Sequence, residues 1–135
     1  MKVTLTLNEK QAGVVQEALD MYFRVGMGQL REVADHIVPN GKGRPISSEW
    51  CQRRDDFYEA IVAARQFAMP ELDRGAYYSI HHEAIHESNR VAVDIHDVLR
   101  GALAWHRKPE GGWEVCFDRV RHLSPEPLPT CTVEE

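Results

Sequence analysis

Nothing in the 135-residue chain approaches a run of about 18 uninterrupted apolar residues, and the opening MKVTLTLNEK has a lysine but no apolar h-region. The expectation is a cytosolic protein with neither a membrane span nor a signal peptide. Cysteine is scarce too. Cys51, Cys116 and Cys131 are odd in number, far apart and without CxxC spacing, which suits reduced thiols better than a disulfide framework. Cationic residues are in deficit: 16 Lys plus Arg oppose 21 Asp plus Glu, a net charge of -5, which argues against a surface built to hold a nucleic-acid polymer. The length leaves no room for two domains with separate cores, so residues 1–135 are expected to form a single domain.

What is present is an ordinary globular composition, 43% hydrophobic and 27% charged. Only Lys2, Lys10, Lys42 and Lys108 are lysines; the remaining cations are arginines, the side chain suited to bidentate phosphate contact. Val3, Leu5 and Leu7 alternate with polar residues and predict a strand over residues 2–7. Asn8 then caps a helix in which Ala12, Val15, Ala18, Leu19, Tyr22 and Val25 keep helical spacing to about Arg24. Gly26-Met27-Gly28 interrupts it before a second short helix marked by Leu30, Val33, Ala34 and Ile37. The run PNGKGRPISS, residues 39–48, has loop composition, and Ser47 or Ser48 can cap the next helix. That helix carries Trp50, Phe57, Ile61, Ala64 and Ala68 at one spacing, with Arg53, Arg54, Asp55, Asp56, Glu59 and Arg65 on other faces and most of those charges solvated, and closes at Pro70.

AYYSI, residues 76–80, reads as a short strand, and Ser88 or Asn89 begins a long helix with Val91, Ile95, Val98, Ala102 and Trp105 on its apolar stripe. Arg90 and Asp94 are spaced to pair along it. After the glycine-containing connection at residues 108–112, Trp113, Val115 and Phe117 alternate as a further strand, and the tail from about residue 124 is acidic and Pro-rich. The resulting fold expectation is α+β: a small antiparallel sheet covered by about four helices.

Two constellations carry chemistry. His82-Glu83-Ala84-Ile85-His86 matches HExxH, in which a helix turns two imidazoles onto one zinc and the glutamate activates a bound water. Here the motif follows strand-like residues and precedes a helix cap, so His82 and His86 fall on a loop, and no close spacing selects a third ligand among Asp94, His96 and Asp97. A minimal zinc hydrolase therefore stands as the alternative reading. Cys51 lacks any local sign of an activated thiol, Gly26-Met27-Gly28 follows a helix instead of opening one, and GKGRP lacks the Lys-Ser/Thr of a phosphate loop. The other constellation sets Arg24 and Gln29 around the glycine pair, Tyr77 and Tyr78 before the histidine loop, Asn89 and Arg90 at a helix start, and Arg107 at its end. A nucleotide needs an aromatic face, an amide for a base edge and cations for phosphate oxygens, and each type is present.

The stretches TLNEKQAGVVQEALDMYFRVGMGQL and SNRVAVDIHDVLRGALAWHR, about a third of the chain, resemble a family of small phage proteins, the Thoeris anti-defence sponges. ALD-x-Y-x-R-x-GMGQ and NR-x-A-x-D carry the resemblance. It implies a non-catalytic, cofactor-free protein that sequesters a cyclic ADP-ribose isomer made by an immune TIR-domain enzyme in the bacterial cytoplasm. It also implies a homodimer or a hexamer of dimers, some relatives having separate sites for cyclic oligonucleotides. Carried over by motif, Arg24 and Asn89 become ligand contacts, with Tyr78 or the adjacent Tyr77 as the ring stacked on adenine; the family's arginines in the third segment and after the long helix suggest Arg53, or Arg54 in its place, and Arg107 as partners of the diphosphate. The histidine-rich loop departs from the shorter polar loop of that pattern.

Overall fold

A computed structural model of the chain describes residues 1–38 and 47–134. Most of the expected loop at residues 39–48, GKGRP included, lies outside the described residues. The order of elements is α1 (Glu9–Gly26), α2 (Arg31–Ile37), α3 (Ser48–Ala68), α4 (Glu87–Arg107) and a single 3-10 turn (Val115–Phe117).

The described residues contain helices and no strand, which corrects the expected α+β fold with its antiparallel sheet. Each of the three alternating segments lacks a ladder partner, and an isolated strand leaves its backbone groups to water. Residues 2–7 form no regular element, with Val3 and Leu5 exposed. At residues 76–80 one bond, from the Tyr78 amide to the Met27 carbonyl (2.9 Å), takes the place of a ladder. The segment after Trp113 closes into the 3-10 turn, because the Phe117 amide reaches the Glu114 carbonyl and the Phe117 ring packs edge-on against Trp105 at 5.1 Å.

Among the described helices, α1, α3 and α4 begin where a polar side chain takes up a free amide. Asn8 and Gln11 form a reciprocal box: the Asn8 amide donates to Gln11 Oε1, and the Gln11 amide to Asn8 Oδ1, both at 2.9 Å. Ser47 accepts from the Trp50 amide at 3.1 Å and starts α3. At α4 the cap is His86, whose Nδ1 accepts from the Ser88 amide at 3.2 Å, two residues ahead of the expected start.

The chain divides into two compact units, Met1–Phe23 with His86–Glu135, and Arg24–Ile85. In the first, α4 buries a face opposite in character to the expected apolar stripe. Ile95 and Trp105 are exposed, whereas Asn89, Asp94, His96 and Asp97 are buried beside Ala92, Val93 and Leu103. The Asp94 carboxylate, 2% exposed, accepts from the Leu123 amide through Oδ1 (2.8 Å) and from the Ser124 amide and hydroxyl through Oδ2 (2.9 and 2.6 Å). Arg90 pairs with Glu87 at 3.2 Å, so the expected Arg90–Asp94 pairing gives way to an acid that holds the C-terminal segment.

Asp97 is held by three neighbours. His96 Nδ1 lies 3.0 Å from its Oδ1, Arg100 3.2 Å from Oδ1, and Arg121 Nε donates to Oδ2 at 2.9 Å. A carboxylate only accepts, so His96 carries its proton on Nδ1. Burial alone would push the Asp97 carboxyl up, but the His96 and Arg121 hydrogen bonds and the charges of Arg100 and Arg121 outweigh it and hold the group below its ordinary 3.8. A depressed folded-state value stabilises the fold above the ordinary value and loses that contribution as pH falls through the folded one. Thermal unfolding followed from about pH 6 down to about pH 2.5 should therefore show a stability loss setting in below about pH 4, and Asp97→Asn should flatten that part of the curve.

Candidate functional site

The second unit carries a depression of about 280 Å³, built by the α1–α2 junction, α3 and the segment at residues 75–77. The junction is set by Gly28, whose φ of +83° lies in the left-handed region that glycine adopts without strain. The position is also close-packed: a Cβ would stand 3.1 Å from Met69 Sδ, which would have to give by a few tenths of an ångström. The turn lets the Gln29 amide return to the Arg24 carbonyl at 2.9 Å, so Arg24 and Gln29 are brought side by side. Their side chains meet, with Arg24 Nη1 donating to Gln29 Oε1 at 2.8 Å and to Glu32 Oε1 at 3.0 Å.

The floor is Arg65, 7% exposed, one of the α3 charges that the sequence pattern places off the apolar stripe and most of which it expects in solvent. Its Nη1 donates to the carbonyls of Gly28 (3.0 Å) and Ala76 (2.7 Å), and its Nη2 to those of Asp73 (2.7 Å) and Arg74 (3.1 Å). Four backbone oxygens from two loops converge on one guanidinium, which a planar fork of donors can satisfy and a lysine cannot. Its Nε is buried without a hydrogen-bond partner among the described residues. Along the rim, Arg31 lies over the Tyr58 ring at 5.2 Å from its centre and 3.5 Å from Asp55. Tyr77, exposed, completes the wall.

Of the residues expected at a ligand site, the structure gathers Arg24, Gln29 and Tyr77 in this depression. Tyr78 is turned elsewhere and stacks on His82 at 4.3 Å, which occupies one ring face. Arg53 is exposed on α3 and pairs with Glu49 at 2.9 Å. Asn89, Arg90 and Arg107 belong to the other unit. There Asn89 is buried and donates back to the His86 carbonyl at 3.2 Å, and Arg107 pairs with Glu9 at 2.8 Å. Arg31, Glu32, Tyr58 and Arg65 were missed. Only Arg31, three residues beyond Gly28, carried a usable local signal.

The HExxH residues lie in a succession of turns ahead of α4, not on a helix. His82 Nδ1 accepts from the Ala84 amide at 3.1 Å, and His86 Nδ1 is 2.7 Å from the Ser88 hydroxyl, so one nitrogen of each ring is engaged locally. Among the described residues no group of three or more His, Cys, Asp and Glu is placed to hold a metal ion. No helix of the described residues is long and apolar enough to cross a membrane. Comparison with models of known protein families, with curated proteins and with solved structures finds no match to the chain.

Proposed function

We propose that the protein sequesters, without cleaving it, a cyclic ADP-ribose isomer, so that a phage protein lowers a TIR-derived immune signal in the bacterial cytoplasm. The observation that carries the reading is the meeting of Arg24, Gln29 and Tyr77 around one depression, since the first two belong to the ALD-x-Y-x-R-x-GMGQ stretch that resembles the sponge family. The chemistry suits retention. Cations and an amide offer charge-assisted and neutral hydrogen bonds to phosphate and base, and the tyrosines offer ring faces. Arg53, Tyr78, Asn89, Arg90 and Arg107 enter the proposal by resemblance alone, as do the homodimer or hexamer of dimers and a separate site for cyclic oligonucleotides.

Incubation with cyclic ADP-ribose isomers and with cyclic oligonucleotides, followed by mass spectrometry of what heating releases, tests this. Stoichiometric recovery of an unchanged cyclic ADP-ribose isomer is the expected result. Gln29→Ala and Tyr77→Ala should each weaken capture by about 1–3 kcal/mol as a hydrogen bond or a stacked ring is removed. Release of a cleaved product, or capture indifferent to both substitutions, overturns the proposal.

A further inference from the structure

The depression holds more positive than negative charge, and the excess sits at its floor. Arg24 is offset by Glu32 at 3.0 Å, and Arg31 shares Asp55 with Arg54, 3.5 and 2.9 Å away. Arg65 has only backbone carbonyls around it; among the described residues no carboxylate pairs with its guanidinium. Carbonyl dipoles satisfy the donors of its two terminal nitrogens but leave its unit charge in place, and a buried charge ordinarily has a counter-charge. Water and salt screen such a charge poorly, so its potential is directed into the space above it.

That space, about 280 Å³, is just below the range of small-molecule sites, about 300 to about 1,000 Å³, and it opens to solvent, so a whole cyclic nucleotide would place only part of itself against Arg65 and Arg31. We infer that this depression is a diphosphate subsite, in which buried Arg65 supplies the attracting potential and Arg31, braced over the Tyr58 ring, makes the direct contact. The cation–π contact at 5.2 Å holds the Arg31 guanidinium at the rim, so less side-chain freedom is lost when an anion arrives. Nothing in the sequence assigned Arg31, Tyr58 or Arg65 to a ligand. Arg53 and Arg107, the residues that the resemblance offers for the diphosphate, do not line this depression.

The inference deepens the sequestration reading and rests on it for the identity of the whole ligand, but the anion alone can be tested. Inorganic pyrophosphate titrated into the full-length protein by calorimetry, with and without added salt, should bind once per chain. Arg31→Ala should weaken that binding at least about tenfold, the effect of removing one charge-assisted hydrogen bond. Arg31→Lys, which keeps the charge but loses the planar stack, should recover part of it. Arg119→Ala, an exposed cation in the other unit, should leave it unchanged. Arg31 is itself half exposed, so these variants should keep the parent melting temperature, which is measured alongside. Absence of pyrophosphate binding, or binding indifferent to Arg31→Ala, overturns the subsite. If cyclic ADP-ribose isomers are retained while pyrophosphate shows neither effect, the subsite falls and the sequestration reading stands. If pyrophosphate behaves as expected and no cyclic isomer is held, the reverse follows.

Discussion

Replacing Asp94 by Ala should lower the stability of the unit formed by Met1–Phe23 and His86–Glu135 by about 3–5 kcal/mol and release the C-terminal segment from α4. The Asp94 carboxylate accepts three hydrogen bonds from Leu123 and Ser124. Bonds to a charged group contribute about 1.5–3 kcal/mol each, and the alanine variant leaves the buried Ser124 amide with no acceptor. Part of that sum is offset because the variant no longer buries a carboxylate. Asp94→Asn separates geometry from charge. Two oxygens of the acid face donors, so the amide NH2 group must confront one of them in either flip, and the isosteric variant should still lose about 2 kcal/mol or more. Urea unfolding gives the stabilities, and limited proteolysis should cut after Arg121 or nearby far faster in both variants than in the parent. Parent-like resistance would show that the segment is held by something other than Asp94.

This acid also marks where reading from the sequence stops. Local signals placed the helices well: Asn8 and Ser47 act through their own side chains on amides three residues away, so the information for a helix start lies within one turn. The buried face of α4 was misassigned for the converse reason. Periodicity identified Val91, Ile95, Val98, Ala102 and Trp105 as the inward stripe, yet the acids beside it are buried because their partners, Leu123, Ser124 and Arg121, arrive from more than twenty residues away. A carboxylate and a solvated charge look alike in a helical pattern until those donors are known. The strands failed through the same dependence on distant partners. Alternation at residues 2–7 and around Trp113 states which side chains would share a face, but a sheet also needs a neighbour to bond with, and the described residues contain no ladder. At the candidate site, the Gly26-Met27-Gly28 junction announced a close approach, which brought Arg24 and Gln29 into view. Tyr58 and Arg65 come from α3, and only the return of the turn at residues 73–77 shows what they face.

The second large effect is expected at Arg65. Arg65→Met keeps most of the apolar stem and removes four charged donors from the carbonyls of Gly28, Asp73, Arg74 and Ala76. Three of those bonds are only partly buried, so water can replace the lost donor at Asp73, Arg74 and Ala76. The bond to the Gly28 carbonyl is buried, and the left-handed backbone there fixes the carbonyl direction, so this acceptor is left empty. The variant also escapes the desolvation of a lone guanidinium, which offsets part of the loss. The balance is a destabilisation of about 2–4 kcal/mol, concentrated in Arg24–Ile85. Arg65→Lys should recover little of it. An ammonium presents its donors from one point and cannot bridge carbonyls on two loops as a planar fork does. Amide hydrogen exchange locates the effect: protection should fall for the Ala76 and Tyr78 amides, which bond the Asp73 and Met27 carbonyls, while α4 keeps parent rates. Loss of protection spread evenly over both units would refute a local clamp. Pyrophosphate binding by Arg65→Lys adds a further discrimination. A variant that loosens the loops yet keeps the buried charge should bind the anion better than Arg65→Met does, because the attraction depends on the charge and the loop geometry on the fork.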